Sequence, residues 1–145
     1  MSYRDTASFG KRQEYSVVAE LLKRGFDVYM TLVDDQGIDC VIRLSDKKYI
    51  DVQIKARSKT AKHGNFFAAM TVNPRNNFFW IFYTEYDNNL WIIPSKELVK
   101  LCQINKSGEN VGKMHLLLPK SDKGLKAIKY NKYKNENGFK LLKRY

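Results

Sequence analysis

Cysteine and histidine are scarce in this chain of 145 residues, which contains two of each. Cys40 and Cys102 stand alone, so they offer neither a disulfide framework nor the paired spacing of a zinc site. His63 and His115 likewise have no histidine or cysteine partner at metal-ligand spacing. The sequence therefore excludes disulfide-stapled and zinc-finger proteins, and we expect both thiols to be reduced packing residues.

Long apolar runs are missing as well. No segment approaches the roughly eighteen consecutive apolar residues that a membrane-spanning helix needs, and residues 1–5 lead into an amphipathic helix rather than a signal peptide. We therefore expect a cytoplasmic protein with no membrane partner. The chain also lacks a glycine-rich phosphate loop ending in Lys-Ser or Lys-Thr, a GxSxG elbow, and a cysteine paired with a histidine in a known local signature.

Acidic residues are fewer than basic residues. The chain has 15 Asp and Glu against 26 Lys and Arg, a formal net charge of +11, which makes a polyanion the favoured partner. Residues 1–39 nevertheless carry five basic against seven acidic side chains, whereas residues 120–145 carry nine against two. The length and the apolar fraction of 43% predict one domain, with a core at about residues 5–105 and a basic C-terminal extension at about 119–145.

Polar side chains are concentrated on one face of a predicted strand at residues 49–56. Asp51, Gln53 and Lys55 point one way and the intervening aliphatic residues point the other, because successive side chains in a strand alternate. The turn Gly37-Ile38-Asp39 precedes the neighbouring strand, so a short return brings Asp39 beside Gln53 and Lys55. A carboxylate, an amide and an ammonium are then expected to meet at one place.

This combination suits metal-assisted hydrolysis of a phosphodiester. Mg²⁺ takes oxygen ligands in near-octahedral geometry, Mn²⁺ is a possible substitute, and the backbone carbonyl of Ile54 is a further oxygen ligand. A neighbouring lysine such as Lys55 can orient or stabilise the attacking hydroxide. The alternative is an ordinary amphipathic strand with a solvated polar face.

The first helix supplies another carboxylate. Asp5 as N-cap and Gly25 as the residue after the C-cap predict a helix at residues 6–24. Glu14 lies in the middle of its apolar stripe, and a buried carboxylate costs several kcal/mol unless it is paired or binds a metal. The alternative partner to a metal is Lys55. The other members of the stripe are Ala7, Gly10, Val17, Val18 and Leu21.

Four residues together resemble the site of the PD-(D/E)XK nuclease superfamily, which includes restriction enzymes, Holliday-junction resolvases and repair nucleases: Glu14, Asp39, Gln53 and Lys55. The resemblance spans about residues 7–56. Ile38 stands where proline is usual, and Gln53 stands where Asp or Glu is usual, although the glutamine form is familiar in that superfamily. Because a neutral amide replaces a charged ligand, we expect this substitution to affect the affinity for the metal.

The resemblance implies a three-layer α/β/α restriction-endonuclease-like core with a mixed central sheet. It implies that Mg²⁺ is held by Glu14, Asp39, Gln53 and the Ile54 carbonyl, that these side chains act in catalysis with Lys55, and that the substrate is DNA, double-stranded or branched.

Two basic stretches are candidates for binding nucleic acid. The loop after the polar strand carries Arg57, Lys59, Lys62 and His63. The C-terminal segment carries Lys123, Lys126, Lys129 and Lys132. These side chains would neutralise phosphates, and Tyr130 and Tyr133 would stack on exposed bases. The alternative for the C-terminal segment is a solubilising surface.

Turn residues and periodicity predict the remaining elements. A strand at residues 78–83 is apolar on both faces, as a central strand covered on each side must be. Ser95 is the expected N-cap of a helix that ends near residue 103. We also expect a turn at residues 34–37, strands at 27–33, 40–44, 66–72 and 90–94, an edge strand at 114–118 and a short helix at 125–130.

Three functions are compatible with these patterns. The first is a metal-dependent DNA endonuclease of the restriction, junction-resolving or mobile-element type. The second is a nuclease fold retained as a catalytically weak or inactive nucleic-acid-binding module. The third is an interaction protein whose basic segment meets an acidic protein. An enzyme of this size that cuts both DNA strands would most simply be a homodimer or higher homo-oligomer.

Overall fold

A mixed five-stranded sheet forms the centre of the molecule, in a computed structural model that describes residues 2–33 and 36–145. Its strands are β1 (Asp27–Met30), β2 (Cys40–Ser45), β3 (Lys48–Arg57), β5 (Phe78–Thr84) and β6 (Asn89–Pro94). Their spatial order is β1-β2-β3-β5-β6. Strands β3 and β5 are parallel and the other neighbours are antiparallel, so the predicted mixed sheet is confirmed.

Further elements cover both faces of this sheet. The helices are α1 (Tyr3–Lys23), α2 (Ser95–Leu101), α3 (Leu125–Tyr130) and α4 (Asn135–Arg144), and a 3-10 turn spans Asn131–Tyr133. Helices α1 and α4 bury their apolar side chains against one face. Against the other face lie α2, α3 and a second sheet made of β4 (Phe66–Met70), β8 (Met114–Leu117) and β7 (Gln103–Ile104). The predicted three layers are thus confirmed.

Strand β5 joins the two apolar clusters. Phe79 and Ile81 are buried on the side of α1 and α4, whereas Phe78, Trp80 and Phe82 are buried on the side of α2. This two-sided burial explains the continuous apolar run that the sequence shows there. None of the described helices combines the length and the apolar character that crossing a bilayer requires.

Helix α1 begins earlier than the predicted residue 6. Ser2 is the N-cap: its hydroxyl accepts a hydrogen bond from the Asp5 backbone N at 3.1 Å, and the Asp5 carboxylate accepts one from the Ser2 backbone N at 3.2 Å. The two residues form a capping box, in which the acidic residue belongs to the first turn. Asp5 is therefore the third helical residue and not the cap.

Several other boundaries differ from the prediction. Strand β1 ends at Met30 rather than at residue 33, because Thr31 turns back to bond the backbone before β2. Residues 34 and 35 of the predicted turn lie outside the described residues. Ser95 does not cap α2, since its hydroxyl donates to the Arg75 carbonyl at 2.9 Å. Strand β8 is the middle strand of the small sheet and not an edge, because β7 pairs with its second side.

The core continues well beyond residue 105, where the charge pattern placed its end. Phe139 and Leu142 of α4 belong to the cluster that contains α1. Tyr130 and Tyr133 belong to the opposite cluster and are 4% and 2% exposed. The expectation that these two tyrosines stack on bases is therefore wrong, because both rings are packed inside the protein.

Candidate active site

Asp39 lies immediately before β2 and is 3% exposed. Its Oδ2 accepts hydrogen bonds from Gln53 Nε2 at 3.0 Å and from the Ile54 backbone N at 2.7 Å. The Asp39 backbone N donates to the Val52 carbonyl at 2.8 Å. The structure thus brings Asp39 and Gln53 together as the strand pattern predicts.

Two residues that the sequence left without a role position this pair. Gly37 has a φ of +69°, and a Cβ at this residue would lie 2.8 Å from Gln53 Oε1, so only glycine leaves room for the amide. Thr31 Oγ1 donates to the Ile38 carbonyl at 2.7 Å and to the Asp39 carbonyl at 3.1 Å. Gly37 stands two residues before Asp39, so the sequence held a signal for the role of this glycine. The hydrogen bonds of Thr31 form only in the folded loop, so the sequence held no signal for them.

Glu14 is partly buried on α1 and its partner is a cation on the same helix. Its Oε2 lies 2.9 Å from Lys11 Nζ, and its side chain is 20% exposed. The ion pair with Lys55 that the sequence left open is therefore replaced by one with Lys11. The spacing of three residues between Lys11 and Glu14 was the available sequence signal, because such positions are neighbours on a helix.

Two pKa shifts link Glu14 to Asp39. The pKa of Lys11 is raised first by its hydrogen bond to Glu14 and further by the charges of Glu14 and Asp39. Burial raises the pKa of the Cys40 thiol to about 12, and the charges of Asp39 and Glu14 add to this shift. Both carboxylates therefore raise the pKa of the same two groups. The start of β2 and the middle of α1 thus lie close enough to interact electrostatically.

Lys55 follows Gln53 on the same face of β3. Strand register places Gln53 beside Trp80 and Lys55 beside Phe82, and the Lys55 side chain is exposed while Gln53 is buried. The polar face of β3 thus runs from the buried Asp39–Gln53 pair towards solvent. The action of the ammonium on a reacting phosphate stays a prediction.

The oxygen donors near Asp39 suit a hard divalent cation. Within residues 2–33 and 36–145, no three His, Cys, Asp or Glu side chains form a ready metal cluster. Two carboxylates, an amide and a backbone carbonyl nevertheless match Mg²⁺, which keeps several waters and needs few protein ligands. The Gln53 amide presents its NH₂ group to Asp39, so it must turn to offer its oxygen.

The basic loop after β3 is held in place by hydrogen bonds to its backbone groups. The Arg57 guanidinium donates to the His63 carbonyl at 3.2 Å, and the Lys59 backbone N donates to the Glu85 carboxylate at 2.8 Å. The Lys62 and His63 side chains are exposed. Arg57 is the last residue of β3, so the loop itself begins at Ser58, three residues beyond Lys55.

The C-terminal lysines lie next to that loop but are not equivalent. His63, Lys120 and Lys126 line one open concavity of about 540 Å³, so the two basic stretches adjoin. Lys132 pairs with Glu97 at 3.2 Å, which offsets its charge. Lys123, Lys126 and Lys129 are exposed, and the Lys126 ammonium lies 5.9 Å from the centre of the Tyr130 ring.

Comparison with known proteins identifies a shared fold. No family model matches the chain, and no curated protein matches it. A solved structure of the bacterial homing endonuclease I-Ssp6803I superposes with a TM-score of 0.65 at 19% sequence identity, covering 93% of this chain and 90% of that chain. At this identity the likeness establishes the fold alone. The chain accordingly shares its α/β fold with that protein.

Proposed function

We propose that this protein is a Mg²⁺-dependent DNA endonuclease with a PD-(D/E)XK site in its glutamine form. The observation that carries the proposal is the buried Asp39 carboxylate, bonded to Gln53 and Ile54 at the point where β2 and β3 meet. A buried carboxylate beside a strand whose polar face leads to an exposed lysine suits phosphodiester hydrolysis. The fold shared with a homing endonuclease supports the same chemistry.

Each residue has a separate task in this proposal. Asp39 and Glu14 hold the cation with the Ile54 carbonyl, and Mn²⁺ can replace Mg²⁺. When bound, the cation supplies Lewis-acid activation of the phosphodiester. Gln53 fixes the Asp39 carboxylate and is a further ligand after its amide turns. Lys55 stabilises the charge that develops on the phosphate or orients the attacking water.

The proposed substrate is double-stranded or branched DNA held by the two adjoining basic stretches. Arg57, Lys59, Lys62 and His63 contact phosphates next to the cleaved bond, while the C-terminal lysines add affinity that is independent of sequence. Among the restriction, junction-resolving and mobile-element types, the fold of a homing endonuclease favours the last. A homodimer would present one site to each DNA strand.

The second candidate is a nuclease fold that binds nucleic acid with weak or no catalysis. One hydrogen bond favours it. Gln53 donates to Asp39 through a neutral amide where a second anion is usual, so the metal has one charged ligand fewer. Binding of DNA without cleavage is the outcome that this candidate predicts.

The test incubates the protein with supercoiled, linear, single-stranded and branched DNA in the presence of Mg²⁺, Mn²⁺ or EDTA. The endonuclease proposal predicts cleavage of at least one substrate with a metal and none with EDTA. Salt-sensitive binding without cleavage under any condition would favour the binding module. A failure to bind any DNA at low salt would contradict both candidates and favour an acidic protein partner.

A further inference from the structure

The concavity of about 540 Å³ beside the basic loop has apolar walls. Phe66 of β4 and Leu117 of β8 belong to them, and these two residues pair in the strand register. Their neighbours Phe67 and Leu116 are buried in the core, so Phe66 and Leu117 lie on the outer face of the small sheet. The volume falls within the range of about 300–1,000 Å³ that is typical of ligand sites.

The apolar surface continues from the small sheet onto α3. A second concavity, of about 450 Å³, shares Phe66, Leu117 and Lys126 with the first and extends to Leu125. Leu117 is 47% exposed and Leu125 is 87% exposed. Apolar side chains that adjoin in this way mark a binding surface, because scattered single residues would be the ordinary case.

The charge around the first concavity selects an anionic occupant. His63, Lys120 and Lys126 line it and are exposed, and none of the described residues that line it is acidic. An occupant that is flat and apolar in the middle and anionic outside is a nucleobase with its flanking phosphates. A second copy of this chain fits less well, because each copy carries a net charge of +11.

A buried amide in the wall has an unused acceptor. Asn65 lines the concavity and is 3% exposed, and its Nδ2 donates to the Leu118 carbonyl at 2.7 Å. Its Oδ1 accepts no hydrogen bond from residues 2–33 and 36–145. Because buried amide oxygens nearly always have a partner, this oxygen is a ready acceptor for an N–H group of a ligand. The exocyclic amines of adenine and cytosine are donors of this kind.

The concavity lies on the same side of the main sheet as Lys55. Phe67, the neighbour of Phe66, packs edge-on against Phe82 with ring centroids 4.8 Å apart. Phe82 pairs with Lys55 in the parallel register of β3 and β5, so these two side chains point to the same face. The basic loop that carries His63 joins β3 to β4. DNA that reaches the candidate site along this loop therefore also reaches the concavity.

We propose that this concavity holds one unpaired base of a DNA substrate. The base packs against Phe66 and Leu117 and donates its exocyclic amine to Asn65 Oδ1. Lys120 and Lys126 bind the phosphates on either side. A base must leave its stack to enter, which costs least where it is already unpaired. The inference rests on the proposed DNA partner and narrows it to DNA with an unpaired nucleotide, but it depends on neither metal nor cleavage.

The experiment measures binding of the full chain, in EDTA, to three DNA duplexes that differ at one position. One is fully paired, one has an extra unpaired adenine, and one has an extra abasic residue. The wild type should bind the adenine duplex about 5-fold or more tightly than the abasic duplex, the effect of stacking one base. Replacing the adenine by purine, the same ring without the amine, should weaken binding by about 3-fold, because the hydrogen bond to Asn65 is lost.

Two variants test the walls of the concavity. Phe66→Ala and Leu117→Ser should each remove the preference for the adenine duplex and leave binding to the abasic duplex unchanged, because that binding depends on phosphate contacts alone. If Phe66→Ala fails to fold and binds no duplex, Leu117→Ser at its more exposed position decides. The matched control is Ile104→Ser on β7, which should keep the preference. Ile104 is 55% exposed on the same small sheet and is not among the described residues that line either concavity.

The outcomes separate this inference from the proposed function. Equal binding of the three duplexes by the wild type would overturn the inference and leave the endonuclease proposal standing. A preference for the adenine duplex without cleavage of any DNA in Mg²⁺ would support the inference and contradict the endonuclease proposal. Failure to bind any duplex would contradict both. If Leu117→Ser changes the sedimentation mass and not the preference for adenine, the concavity is an interface between copies and the inference is wrong.

Discussion

The Gln53 amide donates a hydrogen bond to a carboxylate that is almost fully buried. An amide in this position stabilises the Asp39 anion when no metal is bound, whereas a second carboxylate would repel it. In the proposed site, Gln53 therefore stands in place of a charged metal ligand and keeps the arrangement stable without metal. Gly37 is part of this arrangement, because its missing Cβ makes room for the amide.

Gln53→Glu tests this role of the amide. Without metal the variant should lose about 1–3 kcal/mol of stability, because two buried carboxylates then face each other without the NH₂ donor. With Mg²⁺ the added charge should tighten binding, so the metal should raise the melting temperature more than in the wild type. Thermal melts in EDTA and in Mg²⁺ measure both effects, with Gln103→Glu on the exposed β7 as control. An equal response to Mg²⁺ in both proteins would mean that residue 53 does not touch the metal.

The Cys40 thiol reports on the two carboxylates beside it. Its pKa is raised to about 12 by burial and then by the charges of Asp39 and Glu14, and only the thiolate is reactive. The thiol should therefore stay protonated at pH 8 and ionise only as the pH approaches about 12, which the ¹³Cβ NMR shift of Cys40 measures without a reagent having to reach this buried group.

Asp39→Asn removes one of those charges. The pKa of Cys40 should fall, because fewer negative charges then oppose the thiolate. A pH titration of the Cys40 ¹³Cβ NMR shift gives the pKa, and Asp51→Asn on the neighbouring strand β3 is the control. The same Cys40 pKa in all three proteins would show that the Asp39 charge does not reach Cys40.

At the level of elements, α4 is what links the C-terminus to the core. Arg24 at the end of α1 pairs with Glu136 at 2.5 Å and lies over the Phe139 ring at 3.8 Å. Gly138 allows the first turn of α4 to lie close to the preceding 3-10 turn, since a Cβ there would lie 2.3 Å from the Tyr133 carbonyl oxygen. The segment is therefore a structural part of the domain.

Leu142→Ala should destabilise the protein by about 2–4 kcal/mol, because its side chain is fully buried in the cluster that joins α4, the sheet and α1. Lys140→Ala on the exposed side of the same helix should change stability by less than about 0.5 kcal/mol. Urea unfolding of the two variants measures both values. If Leu142→Ala were as stable as Lys140→Ala, the C-terminal helix would not be part of the cooperative core.

Sequence patterns predicted some elements more accurately than others, and the reasons are physical. Strands β2, β3 and β5 and helix α3 follow from local alternation and periodicity, and their predicted bounds lie close to the observed ones. Helix α4 was missed because Asn135, Asn137 and Gly138 disfavour helices, whereas its stability comes from tertiary packing such as that against β6 and Phe26. Lys11 as the partner of Glu14 was missed because the choice between two lysines depends on tertiary distance.

For the whole molecule, basic charge is densest in residues 120–145, which carry nine basic against two acidic side chains. The loop after β3 and the C-terminal lysines adjoin at His63 and Lys126, although these two residues are far apart in the sequence. Composition predicted a polyanionic partner, but it could not show that the two stretches form one surface. That requires the pairing of β4 with β8.

Replacing Lys123, Lys126, Lys129 and Lys132 by glutamine should weaken binding to every DNA tested. The salt dependence should become shallower by about 0.9 log units for each duplex phosphate that the variant no longer neutralises. Lys132 should contribute least, because it already pairs with Glu97. The control removes four exposed lysines elsewhere, namely Lys23, Lys100, Lys106 and Lys113. An identical salt slope in the two quadruple variants would mean that the C-terminal lysines serve only solubility.

The central claim is that Asp39 holds the metal for DNA cleavage, and single-turnover cleavage of one DNA substrate in Mg²⁺ tests it most directly. Asp39→Asn should abolish both Mg²⁺ binding and cleavage, while Lys55→Ala should retain Mg²⁺ binding and lose most of the cleavage rate. Asp51→Asn is the matched control, because Asp51 lies on the same face of β3 as Gln53 and Lys55 and pairs with Arg75 at 2.7 Å. Cleavage by Asp39→Asn at the rate of Asp51→Asn would contradict the account.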